Sequence, residues 1–322
     1  MQRSEEGGSE MEEPRKFIIY GMGKQGKAYY DFFKAKGLDG CVKGFCDRRY
    51  SVLGEYDGKR CYGYDEAKLA ALPFLISLWD RNAFLEIKEQ INKAGGTSYE
   101  MNNIADYLGV DKVEFNRDFI AFYHIENMDD YFQAAEDDRH MSVFWDEMEG
   151  IYPLFCRLDL TNVIELACGR GRHVGQYFDK AGNVTLVDIL EKNIDICKDR
   201  FKTYDKIHFY CNNGYNLEQL PSGQYTALFC YDAMVHFEML DIHEYLKDIY
   251  RVLVKGGRVL IHHSNYDKDY TASFINSLHG RSYMNASIFA YLATRCGFHV
   301  LEQKLINWAG IEGLDCATLL EK

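Results

Sequence analysis

The alternation of apolar and polar positions is clearest between Val163 and Asp188. An apolar run begins at Val163 and stops at two glycines, Gly169 and Gly171, which precede a segment of helical character. A second apolar run, 184–187, ends on Asp188. This order predicts strand, glycine turn, helix and strand, the first half of a nucleotide-binding α/β sheet. Asp188 lies 17 residues beyond Gly171, about where such sheets place a carboxylate that accepts hydrogen bonds from a ribose diol.

The same alternation continues to the end of the chain. Asp241 and Glu244 have the spacing of a capping box, so a helix is predicted to begin with Asp241 as its N-cap and to stop at Gly256. Five further runs are predicted to be strands: 207–211, 226–231, 258–262, 300–307 and 316–320. Residues 161–322 are therefore predicted to form one domain.

A shorter pattern of the same kind occupies residues 15–98. An apolar run leads into Gly21, Gly23 and Gly26, and Asp47 follows the next strand, 21 residues beyond Gly26. In this context a complete G-x-G-x-x-G indicates a nucleotide whose phosphates lie at the helix N-terminus. The alternative is that the glycines only let helix and strand pack closely. The pattern is too short for a complete dinucleotide dehydrogenase domain.

Residues 99–160 are predicted to be a helical linker and lid, with one helix near 128–150. The glycine pair at 95–96 marks the boundary before it. Four side chains of this region either line a pocket or belong to the core: Tyr123, His124, Tyr131 and Trp145.

Composition and charge narrow the functional classes. Of the 322 residues, 47% are hydrophobic, which is typical of a globular protein. The formal net charge of -12 argues against a nucleic-acid or anionic-membrane partner, because both need a basic surface. The sequence contains no apolar run of membrane-spanning length, and the acidic residues 1–14 are predicted to be a disordered tail, not a signal peptide. Ten scattered cysteines without a C-x-x-C pair favour reduced thiols in a cytoplasmic protein. The oligomeric state stays open.

The glycine turn of the larger domain follows an acid. The segment Glu165-Leu166-Ala167-Cys168-Gly169-Arg170-Gly171 runs hydrophobic-acid-hydrophobic before Gly-x-Gly, and Val174 stands where a dinucleotide fold would place a third glycine. This resembles motif I of the S-adenosylmethionine-dependent methyltransferases with a Rossmann-like fold. The resemblance continues through RVLVKGG at 251–257. It implies an α/β class: a C-terminal Rossmann-like methyltransferase sheet with a terminal antiparallel hairpin, plus a smaller N-terminal Rossmann-like module.

The resemblance also implies the cofactor, S-adenosylmethionine, and the residues that contact it. In this family the position of Asp188 meets the ribose, and that of Asn213, by its spacing to Leu217, meets the adenine. The alternative for Asn213 is an ordinary Asn-Gly turn. Asp232 is expected to face the cationic end of the cofactor or the acceptor. The predicted cofactor-binding residues are Glu165, Ala167, Gly169, Gly171, Asp188, Ile189, Asn213, Gly214 and Asp232.

Two histidines are the candidate catalytic residues. His236 follows the strand that ends on Asp232, and a histidine there can accept the proton of a hydroxyl acceptor near neutral pH. His262 and His263 are neighbours on a strand and point to opposite faces, so only one is expected to face the acceptor. We expect it to be His263, with Asn265 and Tyr266 in the loop beyond it. Arg281 is expected near the acceptor as a phosphate or carboxylate ligand, with a surface salt bridge as the alternative. No metal site is predicted.

The N-terminal segment IIYGMGKQG at 18–26 resembles the opening of the small Rossmann-like module of sugar acyltransferases and other polysaccharide enzymes, which holds a nucleotide-sugar. This implies a small-molecule acceptor, a hydroxyl of a sugar or cell-surface polysaccharide precursor. One alternative is an NAD-dependent oxidoreductase that uses the N-terminal G-x-G-x-x-G. Another is a non-catalytic nucleotide sensor.

Overall fold

The computed structural model describes residues 15–126, 129–147, 150–270, 274 and 277–322. The predicted tail at 1–14 and the side chain of His124 lie outside the described residues. Contacts divide the chain into a first unit, residues 1–112, and a second unit, residues 113–322. Each unit has its own sheet.

The first unit is built on a six-stranded sheet. Its strands are β1 (Phe17–Tyr20), β2 (Val42–Cys46), β3 (Glu55–Tyr56), β4 (Lys59–Tyr62), β5 (Phe74–Ile76) and β6 (Ser98–Tyr99). Its helices are α1 (Lys24–Ala35), α2 (Tyr50–Leu53), α3 (Tyr64–Lys68), α4 (Arg81–Lys93) and α5 (Met101–Leu108). The strand order is β3-β4-β2-β1-β5-β6.

The glycine turn after β1 has the predicted form. Gly21 adopts a φ of +102°, and a Cβ there would lie 2.9 Å from Ser77 Oγ. A Cβ on Gly26 would lie 2.0 Å from the Gly21 carbonyl oxygen, so the third glycine lets α1 pack against the turn. β1 pairs in parallel with β2 and β5. The strand–turn–helix–strand order is therefore present.

The helix α5 belongs to the first unit, although the sequence predicts the boundary at residue 98. The Tyr107 hydroxyl of α5 donates a hydrogen bond to the Lys16 carbonyl oxygen, just before β1 (2.9 Å). The Glu100 carboxylate at the start of α5 lies 3.3 Å from Lys88 Nζ on α4. Because α5 is tied back to the first sheet, the division falls after Lys112.

The second unit is built on a seven-stranded sheet. Its strands are β7 (Asn162–Leu166), β8 (Asn183–Asp188), β9 (Ile207–Cys211), β10 (Tyr225–Cys230), β11 (Leu253–Ser264), β12 (His299–Trp308) and β13 (Ile311–Glu321). Its helices are α6 (Lys112–Ile120), α7 (Asp129–Ala134), α8 (Asp138–Trp145), α9 (Tyr152–Phe155), α10 (Val174–Tyr177), α11 (Glu191–Arg200), α12 (Met239–Val252) and α13 (Ala286–Arg295). A π-helical segment, Ala121–Glu126, follows α6.

The order of this sheet is β12-β13-β11-β10-β7-β8-β9. Its strand pairs are parallel except those of β13, which runs antiparallel to β11 and β12. Along β10 and into the next turn, Phe229 and Tyr231 belong to one buried cluster and Leu228 and Cys230 to another. This alternation is typical of a strand covered on both faces. The predicted α/β class with a terminal antiparallel hairpin is confirmed.

The helix after β10 begins and ends earlier than predicted. Its N-cap is Glu238 and its last residue is Val252, while Gly256 lies within β11. Asp241 cannot act as the N-cap because it lies in the first turn, where its carboxylate is paired with Arg117 Nη1 at 2.9 Å. The capping-box prediction is therefore wrong.

The single helix predicted near 128–150 is two helices, α7 and α8. Asp137 begins α8 as its N-cap, and its Oδ1 accepts a hydrogen bond from the His140 backbone N–H (2.8 Å). Because this cap starts a new helix, α7 and α8 are separate helices. Residues 127–128 and 148–149 of the predicted helix lie outside the described residues.

Two features are absent from the described part of the chain. None of its helices is long and apolar enough to cross a membrane. It holds no group of three or more His, Cys, Asp or Glu side chains arranged to bind a metal ion.

Candidate active site

A cavity of the second unit lies at the carboxyl ends of its parallel strands. The turns after β7, β8, β9 and β10 form its walls, together with α6, the π-helical segment and α7. The strand order reverses at β7, with β8 on one side and β10 on the other. Open α/β sheets bind their ligands at such a reversal, so this cavity is the candidate active site.

The two glycines of the turn after β7, Gly169 and Gly171, have different roles. Gly169 has a φ of +56° and lines the cavity, where a Cβ would lie 3.0 Å from the Phe132 ring of α7. Gly171 has a φ of +75°, and a Cβ there would lie 2.5 Å from the Phe201 ring. Gly169 therefore opens the backbone to the cavity, whereas Gly171 lets the turn pack on the end of α11.

Two residues of the wall that are not glycine adopt left-handed backbone conformations. Ala167 has a φ of +57° and Asp232 a φ of +56°. They follow the neighbouring parallel strands β7 and β10. Such conformations cost about 1–3 kcal/mol and persist where the surrounding structure holds them, commonly at functional sites.

Asp188, a predicted cofactor-binding residue, ends β8 and lies in the cavity wall. Its carboxylate accepts hydrogen bonds from the backbone N–H groups of Gly169 (2.9 Å) and Leu190 (2.9 Å) and from Asn193 Nδ2 (3.1 Å). Burial raises its pKa from 3.8 to about 6, because these hydrogen bonds only partly offset the lost hydration. Ile189 also lines the cavity.

The turn after β9 places Asn212 in the wall, where the sequence predicted Asn213. Asn213 is exposed, and its Oδ1 accepts hydrogen bonds from two backbone N–H groups of its own turn. This is the ordinary Asn-Gly turn that the sequence left open as the alternative for Asn213. Asn212 is buried, and its Nδ2 donates to the Tyr245 hydroxyl (2.7 Å). Its Oδ1 has no hydrogen-bond partner within the described part of the chain. Gly214, with a φ of +85°, lines the cavity as predicted.

Asp232 follows β10 at the other end of the cavity. Its Oδ2 accepts hydrogen bonds from the Tyr131 hydroxyl of α7 and from Arg172 Nη2 (3.1 Å). Burial alone would raise the pKa of Asp232, but the Arg172 guanidinium, together with the Tyr131 hydrogen bond and the two neighbouring histidines, holds that pKa below its ordinary value. Burial raises the pKa of Tyr131, so its hydroxyl stays a donor.

His236, the predicted general base, lies in the cavity wall. Its Nδ1 lies 2.8 Å from the Gly280 carbonyl oxygen, and its ring meets that of Phe274 edge-on. Since a carbonyl oxygen only accepts, the ring hydrogen of neutral His236 is on Nδ1. The acceptor lone pair of this histidine is therefore on Nε2.

Glu165 and Gly171 are not brought into the wall. Glu165 is 2% exposed, and it accepts a hydrogen bond from the Tyr177 hydroxyl (2.7 Å) behind the glycine turn. Burial raises the pKa of Glu165 from 4.5 to about 7, since one hydrogen bond does not replace full hydration. Among the predicted cofactor-binding residues, Ala167, Gly169, Asp188, Ile189, Gly214 and Asp232 line the cavity.

The structure does not bring His263 to the cavity. Its buried ring stacks on Phe289 (3.9 Å), and its Nε2 lies 2.8 Å from Thr318 Oγ1. The other face of β11 carries His262, whose Nδ1 accepts the Asp232 backbone N–H (3.2 Å). The structure therefore places His263 away from the cavity, because the tertiary structure, and not the sequence, decides on which face of the sheet each of the two histidines lies.

Two other predicted acceptor contacts are structural. Arg281 is buried, and its Nε and Nη2 donate to the Asp315 carboxylate at 2.8 and 2.6 Å. Asn265 donates to the Gly313 carbonyl oxygen (2.7 Å) and accepts from the Ala286 N–H (2.9 Å). Both side chains are occupied within the protein.

Of the candidate aromatic side chains of the linker, one lines the cavity and two pack against other side chains. Tyr131 lines the cavity, whereas Trp145 packs against Phe144 and donates to His173 Nδ1 (2.9 Å). Tyr123 packs against Phe119. Their sequence spacing did not separate these outcomes.

Arg117 and Asn212 are among the side chains of the wall that sequence reasoning missed. Arg117 pairs with Asp241 and lies over the Tyr215 ring, with its Cζ 4.4 Å from the ring centroid. No local signal marks Arg117 because its partners lie about a hundred residues away. Asn212 precedes Asn213, and only the geometry of the turn distinguishes them.

Residues 163–257, which carry most of this cavity, match a protein family described as a methyltransferase domain. This segment is a methyltransferase domain. The match confirms the predicted type of domain and, with it, S-adenosylmethionine as the cofactor. No curated protein has a significant match to the chain.

Solved structures with a similar fold include S-adenosylmethionine-dependent methyltransferases from three bacteria. That from Clostridium acetobutylicum is 13% identical over 60% of this chain and 97% of its own, with a TM-score of 0.46. The Aquifex aeolicus protein is 12% identical over 60% and 96% (TM-score 0.45), and the Mesorhizobium loti protein 12% over 53% and 96% (0.44). Since these TM-scores are below 0.5, the assignment rests on the family match and the strand order.

Proposed function

We propose that the protein transfers a methyl group from S-adenosylmethionine to a hydroxyl of a small molecule, a sugar or a cell-surface polysaccharide precursor. The observation that carries this proposal is a single cavity with a ribose-type carboxylate, Asp188, at one end. The other end carries Asp232 and a histidine with a defined acceptor nitrogen, His236.

The described residues fit the cofactor. The ionised Asp188 carboxylate would accept from the ribose diol, and the unpaired Asn212 Oδ1 would accept from the adenine amino group. Ile189 and Gly214 would flank the adenine, and the open backbone at Gly169 would let the ligand approach closely. When bound, S-adenosylmethionine supplies an electrophilic methyl group on a sulfonium.

His236 would accept the proton of the acceptor hydroxyl through Nε2. The Gly280 carbonyl fixes the tautomer that leaves this lone pair in place. Asp232, held by Tyr131 and Arg172, would orient the hydroxyl-bearing acceptor. Polar groups that both donate and accept suit a sugar, which supports this acceptor class.

Replacement of Asp188 tests cofactor binding. In calorimetric titration with S-adenosylhomocysteine, we expect the wild type to bind and Asp188→Ala to lose at least about tenfold in affinity, because the ribose diol loses a charged acceptor. The exposed Asp199→Ala on the same domain is the control. Wild-type affinity should also fall as pH drops through about 6, as Asp188 becomes protonated. Failure of the wild type to bind would contradict the proposal.

Replacement of His236 tests the base. We expect His236→Gln to keep its affinity for S-adenosylhomocysteine and to lose about 100-fold or more in the rate of methyl transfer, the usual share of a general base. The assay is mass-spectrometric detection of S-adenosylhomocysteine with a panel of sugars and sugar nucleotides. Unchanged turnover in this variant would remove His236 from the mechanism.

We further propose that the first unit binds a nucleotide or nucleotide-sugar at the carboxyl edge of its sheet. A cavity there is lined by residues that include Tyr20, Asp47 and Arg48. Gly23 has an ordinary φ of -79°, and a Cβ on it would meet nothing within 4 Å. Neither conformation nor packing requires this glycine, which supports close approach of a ligand.

A further inference from the structure

Three buried charged or titratable side chains lie behind the active-site wall without lining the cavity. They are His262 on β11, Asp315 on β13 and Arg281 before α13, which are 1%, 0% and 3% exposed. Asp315 Oδ2 lies 3.3 Å from His262 Nε2, and the carboxylate accepts two hydrogen bonds from Arg281. Apolar side chains could fill this volume without the cost of burying an ion pair, so the fold alone does not require these residue types.

One branch of the cluster leads to Asp232. The Asp232 backbone N–H donates to His262 Nδ1 (3.2 Å), so the hydrogen of neutral His262 is on Nε2, which faces Asp315. The His262 ring also stacks on Tyr231 at 5.0 Å. His262 therefore holds the turn in which Asp232 adopts its left-handed conformation.

The other branch leads to His236. Arg281 Nη1 donates to the His279 carbonyl oxygen (3.1 Å), and the next carbonyl, that of Gly280, accepts from His236 Nδ1 (2.8 Å). On the other side of Arg281, the Ser282 N–H donates to the Val235 carbonyl oxygen (2.9 Å). The loop anchored by Arg281 thus holds the segment that carries His236.

We propose that Asp315 is a positioning residue that sets Asp232 and His236 relative to each other, acting through His262 and Arg281. This rests on the function proposed for those two residues. The arrangement has a signature that needs neither methyl donor nor acceptor: neutral His236 carries its hydrogen on Nδ1 and neutral His262 on Nε2.

The test is long-range ¹H–¹⁵N NMR of the full chain labelled with ¹⁵N-histidine. Signals are assigned by their loss in His236→Gln and His262→Gln. The wild type should show the two opposite tautomers. In Asp315→Asn the tautomer ratio of His236 should shift about fivefold towards Nε2–H, the equivalent of one net hydrogen bond.

Thr318→Val is the matched control, because Thr318 is equally buried on the same strand but contacts His263. Thr318→Val should leave the tautomer ratios of His236 and His262 as they are in the wild type. Arg281→Lys keeps the charge but cannot make the two parallel hydrogen bonds to Asp315. It should therefore shift the tautomer ratio of His236 in the same direction as Asp315→Asn. If the Asp315→Asn protein does not fold, Arg281→Lys takes its place in the test.

A folded Asp315→Asn or Arg281→Lys protein in which His236 keeps its wild-type tautomer ratio would overturn the proposal, as would a wild type without opposite tautomers. Titration of the same samples with S-adenosylhomocysteine keeps the two proposals separate. Absence of binding by the wild type would contradict the methyltransferase function, whereas the tautomer ratios would still decide whether Asp315 positions His236.

Discussion

At the scale of single residues, the candidate active site depends on how each carboxylate is partnered. Asp232 is paired with a guanidinium, whereas Asp188 and Glu165 receive only uncharged donors. Burial therefore raises the pKa of the latter two, to about 6 and about 7. These acids become charged in the pH range in which the protein would bind a cationic ligand.

Glu165 gives a prediction for stability. Its pKa is raised on folding, so its contribution to the free energy of unfolding is complete below about pH 4.5 and is lost as pH rises through about 7. At about 1.4 kcal/mol for each pH unit between these values, the loss is about 3 kcal/mol. Urea unfolding at pH 5 and pH 8 should show that Glu165→Gln loses less stability than the wild type.

The exposed Glu312→Gln provides the control for this measurement and should follow the wild-type pH dependence. Equal pH dependence in Glu165→Gln and the wild type would show that Glu165 is not buried in the neutral form.

At the scale of elements, sequence patterns located the central strands β7, β8 and β10 well, because these strands are buried along almost their whole length and read as apolar runs. The ends of α12 were misplaced because the Asp241–Glu244 spacing suggests a cap, while Asp241 is paired with Arg117 from a distant helix. Local chemistry and tertiary pairing competed for one carboxylate, and the pairing prevailed.

The glycine turn after β7 gives a prediction at this scale. Gly171→Ala should lower the free energy of unfolding by about 1–3 kcal/mol, because a Cβ would meet Phe201 at 2.5 Å and the φ is +75°. Gly175→Ala, in α10, has nothing within 4 Å of its Cβ and should be neutral or slightly stabilising. Equal urea midpoints for the two variants would contradict this account of the turn.

At the scale of the whole molecule, the chain contains two α/β units, each with a glycine turn after its first strand and a cavity at the carboxyl edge of its sheet. The family match covers only the second. In the second unit, both glycines of the turn have a positive φ. In the first unit, neither backbone conformation nor packing requires a glycine at position 23.

Gly23→Leu tests the ligand of the first unit. We expect titration with a UDP-sugar to show binding by the wild type and at least a tenfold loss in this variant, because the new side chain would occupy the space beside the helix N-terminus. Binding of S-adenosylhomocysteine should be unchanged because its site lies in the second unit, and the urea midpoint of the variant checks that the first unit is folded. The matched control is Gly40→Leu, because a Cβ on Gly40 also meets nothing within 4 Å. Gly37 is less suitable because its φ of +70° would strain any other residue.

Binding of NADH in place of the UDP-sugar would favour the oxidoreductase alternative for this unit. Binding of both ligand classes without methyl transfer to any acceptor would favour a nucleotide sensor.

The sequence by itself determined the α/β class, the two glycine turns, the position of Asp188 and the methyltransferase assignment, because these depend on short-range periodicity and on residues close together in the chain. Only the tertiary structure decided that Asn212 rather than Asn213 lines the cavity, and that His262 rather than His263 contacts the turn that carries Asp232. Adjacent residues on a strand or turn are equivalent in sequence, and the choice between them is made by strand pairing and by partners such as Tyr245 and Asp315.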